Sequence, residues 1–310
     1  MKTKLLFTHA LSPLHAGTGQ GIGVIDLPIA REKATGLPFL PGSSVKGTSR
    51  DSYLTMKEKT EGGIRARELT VKYFGPDAGD ANVAEYASAL QFSDQKLLLL
   101  PVRSLIGTFV WVTSPYILSR FKRDANDVMP NSIALMVPTI TNRQNCFVAN
   151  PNDISNGKNV YLEDLDLIAD DSKAEVKNWA DKIAKYLFQS DTTWKDFLSR
   201  RFCIVSDDVM SFLVETATEV SARIRLEDDT KTVKDGSLWY EEALPCETVL
   251  YGMVSASKIG IPKSNNPSGI DYIQPNDAMQ QVDDLIRTRK VMQFGGKGTV
   301  GRGICHLYLS

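Results

Sequence analysis

Alternation of hydrophobic and polar positions predicts β-strands along much of the chain. Lys4–Leu11 predicts a first strand, and Val24–Arg31 predicts a second one in which every other residue is apolar. Asp26 lies on the face of that second strand opposite its apolar stripe, and a solitary carboxylate in the middle of a strand is unusual. Further strands are predicted at Ala89–Phe92, Gly107–Val112, Thr248–Ser255 and Ile304–Leu309.

Apolar residues with helical spacing, together with start signals, predict helices at about Val45–Lys59, Pro115–Arg123 and Asp277–Arg289. Ser43 or Ser44 is expected to cap the first of them. Ser172–Glu175 has the pattern of a capping box, which predicts another helix behind it. One stripe of that helix is apolar: Val176, Trp179, Ile183, Tyr186 and Leu187.

A long β-hairpin is predicted in the last third of the chain. Glu219–Leu226 alternates, a polar stretch with the turn signal Asp235-Gly236 follows, and Leu238–Tyr240 returns to an apolar pattern. Strands and helices alternate along the whole chain with connections of very different lengths. This favours an α+β fold with insertions over a regular doubly wound sheet.

Composition narrows the class of protein. The chain has 310 residues, 42% hydrophobic and 24% charged, which excludes a disordered chain, a collagen or a coiled coil. Its length is near the roughly 250–300 residues at which single cores stop growing, so we expect one elaborated domain with insertions, or a domain plus a subdomain. No apolar run approaches the roughly 20 residues that span a membrane. The four cysteines lie far apart, which favours free buried thiols in a reducing cytoplasm over disulfides or a zinc site.

Charge is balanced overall but segregated along the chain. The 36 basic and 37 acidic residues give a formal charge of −1, which does not indicate nucleic-acid binding. Residues 285–310, however, hold five basic residues and no acidic one. Such segregation fits a chain with one anion-binding face, although charged runs are also ordinary solvated surface.

A glycine-rich loop at Gly295–Gly303 is the strongest local signal. Its formal GxGxxG pattern does not indicate a dinucleotide fold, because only nine residues follow Gly301. Five glycines let backbone amides approach an anionic chain closely, and Lys297 and Arg302 add positive charge. A purely structural turn is the alternative.

A second candidate anion site is Gly42–Gly47, which places Ser43, Ser44 and Lys46 at a predicted helix start. Unpaired amides and the helix dipole bind phosphate at such positions, although plain N-capping explains the same residues. It is not a P-loop, because Thr48 rather than Lys follows Gly47.

Candidate acid–base chemistry lies around the first glycine-dense stretch. His15 and Asp26 flank that stretch and form a candidate general acid–base pair. Glu241-Glu242 is a second acidic cluster, of a kind usually found on a protein surface. No Ser–His–Asp arrangement and no metal-ligand spacing of His and Cys appears in the sequence.

Four segments in a fixed order carry a family resemblance. They are His15–Gly19 with Ile25–Ile29, Leu37–Gly47, Trp239–Pro245 and Phe294–Gly303. The combination resembles the RAMP superfamily of CRISPR proteins, and most closely the repeated backbone subunit of type III-B (Cmr) effector complexes. The resemblance implies a single domain over 1–310 with an RNA-recognition-like (ferredoxin-like) palm. It also implies an inserted, largely helical subdomain at 124–200 and a protruding β-hairpin thumb at 221–245.

The resemblance also implies roles for particular residues. Asp26 matches the cleaving aspartate, with His15 and Glu241 as assisting residues and a divalent metal, Mg²⁺ or Mn²⁺, bound transiently at Asp26. The residues that match positions against the guide RNA backbone are Ser43, Ser44, Lys46, Arg50, Gly295, Gly296, Lys297, Gly298, Gly301, Arg302 and Gly303.

The implied activity is that of an RNA-guided endoribonuclease. Target single-stranded RNA paired with a guide CRISPR RNA would be cut at regular intervals by attack of the ribose 2′-OH on the adjacent phosphate. The implied partners are guide, target, further copies of the chain in a helical filament and other Cmr subunits, with no membrane. Two alternatives stay open: a non-catalytic RNA-binding backbone, and a guide-processing RAMP endoribonuclease centred on His15.

Overall fold

The computed structural model of the chain describes residues 1–19, 21, 25–76, 87–227, 229–230, 232–263 and 266–310. Its helices are α1 (Gly42–Glu61), α2 (Gly63–Phe74), α3 (Pro115–Val128), α4 (Ala174–Phe188), α5 (Thr192–Arg200), α6 (Asp207–Thr216) and α7 (Pro275–Thr288). Its strands are β1 (Lys2–Ala10), β2 (Phe39–Leu40), β3 (Leu90–Phe92), β4 (Gln95–Arg103), β5 (Phe109–Thr113), β6 (Asn145–Val148), β7 (Asn159–Leu162), β8 (Leu165–Asp170), β9 (Phe202–Ile204), β10 (Glu219–Leu226), β11 (Val233–Ala243), β12 (Val249–Ala256), β13 (Ile259–Lys263), β14 (Asn266–Ile273), β15 (Val291–Gln293) and β16 (Ile304–Leu309).

Four strands form the palm of the molecule, in the order β16-β1-β12-β4 with each neighbouring pair antiparallel. Helices α1 and α2 lie between β1 and β4 in the chain, and α7 lies between β12 and β16. This order and these connections are those of a ferredoxin-like βαββαβ fold, in which each βαβ unit leaves room for one intervening strand. The predicted α+β fold with an RNA-recognition-like palm is therefore confirmed.

Helices cover both faces of β1 and so explain its nearly continuous burial. On one face, Phe7 stacks on Tyr186 of α4 with ring centroids 5.1 Å apart. On the other, Lys4 forms an ion pair with Asp283 of α7 at 2.8 Å. Because successive side chains of a strand point to opposite faces, the two contacts hold helices on opposite sides of the palm.

The predicted insertion at 124–200 is mixed rather than largely helical. It contains α4 and α5, but β6, β7 and β8 also extend the palm sheet, in the order β4-β5-β9-β6-β8-β7. The predicted stripe of α4 is buried, with Tyr186 partly so. Lys173 rather than Ser172 precedes α4, and no side-chain hydrogen bond caps the helix, so the predicted capping box does not form. Separation of this segment from the palm as a subdomain stays a prediction.

The predicted hairpin is present as β10 paired with β11, hereafter the thumb hairpin. Ala222 pairs with Tyr240 and Arg223 with Trp239. The turn was predicted wrongly at Asp235-Gly236, which lies within β11. Since Leu226 pairs with Val233 beyond a register shift, the ladder continues past the glycine.

The predicted second strand at Val24–Arg31 is not a regular strand. Val24 lies outside the described residues, and the remainder forms isolated bridges from Ile29 to Gly17, from Leu27 to Glu241 and from Arg31 to Pro38. Because the segment pairs with three separate parts of the chain in turn, it forms no continuous ladder.

The first helix starts differently from the prediction. Pro41 precedes α1, and neither Ser43 nor Ser44 caps it through a side-chain hydrogen bond. The backbone N–H of Gly42 instead donates to Oδ1 of Asp94 at 2.8 Å. A carboxylate that is distant in sequence therefore accepts the hydrogen bond of the first backbone amide of the helix.

Two further expectations from composition can be compared with the structure. Cys146, Cys203 and Cys305 are buried free thiols, as expected, whereas Cys246 is free but exposed. Within the described ranges, none of the helices has both the length and the apolar character needed to cross a membrane.

Gly42→Ala is expected to destabilise the fold, because an added Cβ would lie 2.4 Å from the carbonyl oxygen of Phe92 and 2.8 Å from the carbonyl carbon of Ser93. We expect a loss of about 1–3 kcal/mol in the free energy of unfolding, measured by urea denaturation. Gly47→Ala is the matched control on the same helix, since an added Cβ there meets nothing within 4 Å. Alanine is the better helix former, so the control should gain about 0.5–1 kcal/mol. Equal effects of the two substitutions would contradict this interpretation.

Candidate functional site

Three segments that are distant in sequence form one groove. It has a volume of about 390 Å³ and runs between the loop after β1, the first turns of α1 and the glycine loop, residues 295–303. The structure therefore brings together the two predicted anion sites. The residues lining the groove are Ala16, Gly17, Pro41, Ser44, Gly47, Thr48, Asp51, Gly295 and Gly296.

Close backbone approach accounts for part of the glycine content of the loop. The N–H of Gly296 donates to the carbonyl oxygen of His15 at 2.9 Å. A Cβ on Gly295 would lie 2.2 Å from that oxygen, and one on Gly303 would lie 1.9 Å from the carbonyl oxygen of Phe294. Packing alone thus requires two of the glycines that sequence reasoning assigned to ligand binding. Gly298 begins the 3₁₀ turn Gly298–Val300, and Gly301 follows it in a left-handed conformation.

The α1 side of the groove presents the hydroxyls of Ser44 and Thr48, whereas the predicted RNA-binding residues Ser43 and Lys46 are not among the residues that line it. Ser43 is exposed, and Ser44 and Lys46 are half-buried. Burial and the nearby charge of Arg50 lower the pKa of the Lys46 amine. Asp51 also lines the groove, an acidic residue that the sequence reasoning did not assign there.

The two cations of the glycine loop have different surroundings. The Nζ of Lys297 is 2.8 Å from Oε1 of Glu241, while its side chain remains about one-third exposed. Arg302 is buried, and its Nη2 lies 3.2 Å from Oε1 of Glu219 and 3.1 Å from Oγ of Ser221. Arg302 therefore ties the loop to β10, in contrast to its predicted place on an anion-binding surface.

Asp26 lies exposed at the base of the thumb hairpin. Its Oδ2 accepts a hydrogen bond from the backbone N–H of Tyr240 at 2.7 Å, and its carbonyl oxygen accepts one from the N–H of Gly21 at 2.7 Å. The N–H of Leu27 donates to the carbonyl oxygen of Tyr240 at 3.1 Å. These bonds fix the carboxylate beside β11 while leaving it open to solvent.

The face of the thumb hairpin that carries Tyr240 is apolar and exposed. Ala222 and Tyr240 are paired across the two strands, as are Ile224 and Leu238. The exposed fractions of Val220, Ile224, Leu238 and Tyr240 lie between 40% and 55%. A contiguous apolar face of this kind, exposed to solvent, indicates a surface that another molecule covers.

His15 is packed between the segments that form the groove. Only 6% of the residue is exposed, and its Nδ1 lies 2.6 Å from the carbonyl oxygen of Glu242. A carbonyl only accepts, so Nδ1–H is the donor. A Cβ on Gly17 would lie 2.5 Å from Nε2, which shows how tightly the ring is covered.

Glu241 and Glu242 are both 2% exposed, so the expectation of a surface acidic pair is wrong. The carboxylate of Glu242 accepts hydrogen bonds from the N–H of Ile29 at 3.1 Å, from Arg31 at 2.5 Å and from Thr218 at 2.9 Å. It therefore fastens the segment that follows Asp26 to the hairpin base.

Glu241 is held by cations and an indole. Its Oε1 accepts from Lys297 and, at 2.7 Å, from Nε1 of Trp239, while Oε2 lies 3.4 Å from Nε of Arg223. Burial acts to raise the pKa of Glu241, but the hydrogen bonds from Lys297 and Trp239 and the charges of Lys297 and Arg223 outweigh it. The pKa consequently lies below its usual value.

Comparison with known proteins agrees with this geometry. A family model described as the RAMP superfamily matches residues 9–306. The CRISPR system Cmr endoribonuclease Cmr4 of Pyrococcus furiosus is 34% identical over 309 residues, covering 100% of this chain and 96% of that protein. The CRISPR system CMR subunit Cmr4 of Saccharolobus solfataricus is 23% identical, with 98% of this chain and 95% of that protein covered.

Similarity extends to the three-dimensional structure. The crystal structure of oligomeric Cmr4 from Pyrococcus furiosus superposes with a TM-score of 0.72 at 28% sequence identity, covering 100% of this chain and 98% of that one. The chain belongs to the RAMP superfamily, as the four sequence segments predicted.

Ion pairing of Glu241 predicts a pH-dependent contribution to stability. A carboxyl whose pKa is lowered on folding stabilises the fold above its unfolded pKa, about 4.3 for Glu, and loses that contribution as pH falls through the folded value. The free-energy difference between wild type and Glu241→Gln should therefore be largest near neutral pH and shrink below about pH 4. Urea denaturation across a pH series measures it, and a difference that does not vary with pH would contradict the ion pair.

Proposed function

We propose that the chain is a repeated backbone subunit of a type III-B CRISPR effector complex, which binds guide RNA and cleaves complementary target RNA. The observation that carries the proposal is the position of Asp26, an exposed carboxylate fixed at the base of the thumb hairpin. The segment that follows Asp26 reaches the glycine-lined groove through Ile29, which bridges to Gly17 of the groove lining. Full-length similarity to a relative named a Cmr endoribonuclease supports the same activity.

The groove suits the backbone of a guide RNA. Small residues and hydroxyls line it, and the segments that form it also carry two lysines, the half-buried Lys46 of α1 and the partly exposed Lys297 of the glycine loop. Contacts of this kind position a nucleic acid without reading its bases. Sequence choice then comes from pairing between guide and target, as in other RNA-guided systems, and a chain with a net charge near zero needs only a narrow basic surface.

The thumb hairpin supplies the regular spacing of cuts. Apolar side chains inserted between base steps unstack a duplex locally, and the exposed face around Ile224, Leu238 and Tyr240 has this character. One hairpin per copy would displace one base per copy. Asp26 lies at the root of that hairpin, so each displaced nucleotide would face one carboxylate.

The chemistry is attack of a ribose 2′-OH on the adjacent phosphate, with positioning as the main contribution. A displaced base frees its sugar to bring the 2′ oxygen in line with the leaving oxygen. The amide of Tyr240 holds Oδ2 of Asp26, and Oδ1 has no partner among the described residues. Asp26 either accepts the 2′ proton or holds a cation there. DNA, which lacks the 2′-OH, is not a substrate.

A divalent cation, Mg²⁺ or Mn²⁺, could bind transiently at the carboxylate of Asp26. In the part of the chain that the structure describes, no group of three or more His, Cys, Asp or Glu side chains is arranged to hold a metal. Mg²⁺ often uses one or two carboxylates together with substrate phosphates, which matches a single exposed Asp26. Held by Asp26 and RNA, the cation would stabilise negative charge developing on the phosphate.

Membership of the family also suggests how copies of the chain assemble. Copies would line up as a helical filament along the guide, with other Cmr subunits, and the related crystal structure is itself described as oligomeric. Five acidic residues between 163 and 171 form a flank able to meet the basic edge of a neighbouring copy. The free cysteines fit a cytoplasmic site of action.

Asp26→Asn is the decisive variant, because the side-chain amide oxygen can still accept from Tyr240 while the charge is lost. We expect target cleavage by the assembled complex to fall at least about 100-fold, with assembly and guide binding unchanged. Removal of divalent cations with EDTA should have a similar effect on wild type. Persistent cutting at every site in Asp26→Asn would exclude Asp26 as the catalytic residue. If the chain is instead a guide-processing enzyme centred on His15, Asp26→Asn would still cleave precursor guide RNA. A non-catalytic backbone would leave target intact even in wild type.

Lys46→Ala is expected to weaken guide binding for every guide sequence, since the amine faces phosphate rather than bases. The slope of log affinity against log salt should decrease by about 0.7, the value for one phosphate contact on a single strand. Lys59→Ala, at the far end of the same helix, is the control and should not change the slope. Equal slopes for wild type and Lys46→Ala would show that this lysine does not contact the guide phosphates.

A further inference from the structure

We propose that Glu241 is a positioning residue that couples guide binding to target cleavage, by linking Lys297 of the glycine loop to the strand that holds Asp26. This inference rests on the proposed function, and it replaces the expectation that Glu241 takes part in the chemistry directly. Glu241 is 2% exposed, so its carboxylate cannot touch RNA without a rearrangement of the hairpin base.

The loop side of the link is a restrained cation. Lys297 has a left-handed backbone conformation with φ of 65°. Its ammonium lies 2.8 Å from Oε1 of Glu241 and 5.9 Å from the ring centroid of Trp239. The side chain is nevertheless about one-third exposed, and Lys297 directly follows Gly295 and Gly296, which line the groove.

The cleavage side of the link is the backbone of β11. Glu241 forms a bridge with Leu27, the residue after Asp26. Its neighbour Tyr240 donates its N–H to the Asp26 carboxylate, and its other neighbour Glu242 binds the N–H of Ile29. A shift of Glu241 therefore moves the Tyr240 N–H and the Glu242 carboxylate, the two groups that fix the Asp26 segment.

The charge arrangement makes the link responsive to an anion. Oε2 of Glu241 is buried without a hydrogen-bond partner, so the ion pair with Lys297 and the contact with Arg223 neutralise much of this carboxylate. A guide phosphate near Lys297 competes with Glu241 for the same ammonium. Binding of guide therefore weakens the ion pair between Lys297 and Glu241. The resulting shift of Glu241 moves β11 and, with it, the carboxylate of Asp26.

Glu241→Gln separates this role from the alternatives, because it removes the charge and keeps the shape of the side chain. Freed from its internal partner, Lys297 should bind guide RNA about two- to fivefold more tightly. The salt slope should steepen by as much as about 0.7. Turnover of target by the assembled complex should fall about 10- to 100-fold with unchanged KM, because Asp26 loses its fixed position. The two effects have opposite signs.

Lys297→Met and the double variant complete the cycle. Lys297→Met should weaken guide binding, and cleavage by the double variant should be no lower than that of the more impaired single variant, since both residues act through one contact. Glu68→Gln, which alters an exposed pair with Arg65 on α2, is the control and should change neither property. Trp239→Phe keeps an aromatic ring beside Lys297 but removes the indole hydrogen bond to Glu241. It should shift guide affinity and cleavage in the same directions as Glu241→Gln, by smaller factors.

Each other pattern overturns the inference. A purely structural Glu241 would weaken guide binding and cleavage together, and a catalytic Glu241 would reduce cleavage with guide affinity unchanged. Multiplicative losses in the double variant would mean two independent residues. The guide-binding arm needs no cleavage, so a wild type that binds guide but leaves target intact would refute the proposed function without deciding the coupling of Lys297 to Glu241. If Glu241→Gln fails to fold, Trp239→Phe supplies the same comparison.

Discussion

The candidate site depends on one short stretch of backbone, residues 239–242 of β11. Glu241 holds Lys297 of the glycine loop near the Trp239 ring, Tyr240 holds the carboxylate of Asp26, and Glu242 holds the segment that follows it. None of these contacts is local in sequence, and each would be lost if β11 slipped by one residue, because a strand then turns every side chain to the other face. The pairing register of the thumb hairpin therefore sets the positions of Lys297 and of the Asp26 carboxylate at once.

Burial separates the carboxylates that hold the structure together from the one carboxylate that is exposed to solvent. An anion-binding groove needs cations at its surface, and a cleaving carboxylate must remain charged and reachable close by. The structure leaves Asp26 exposed but encloses Glu241 and Glu242 with their own cations and amides. Buried carboxylates paired in this way add little negative potential to the groove, whereas unpaired ones would repel phosphate. This separation explains how a chain with almost no net charge can present a local surface suited to RNA.

The local pattern of apolar and polar residues was sufficient to predict an element where neighbouring layers bury one of its faces. The predicted bounds of Glu219–Leu226 and Ile304–Leu309 match β10 and β16, and the stripe of α4 is buried as expected. Pattern failed where partners lie far apart in the chain. The cap of α1 comes from Asp94, 52 residues away, and the partner of Arg302 is Glu219. Spacing within a sequence carries no information about such pairs, so motif residues were assigned to the surface although the fold had buried them. The family resemblance indicated Asp26 as the candidate cleaving residue, and the fold showed which backbone amide holds its carboxylate.

The inserted strands have a consequence for how this domain could be shortened. Strand β9 is buried throughout and lies between β5 and β6, and its pairing with β6 covers Cys203 and Ile204 on that side. Excision of residues 124–200 would leave an apolar strand with a row of unsatisfied amides and carbonyls, the kind of edge that templates aggregation. The insertion thus serves as a protective border for the sheet, and a minimal palm would need a substitute border before it stayed in solution.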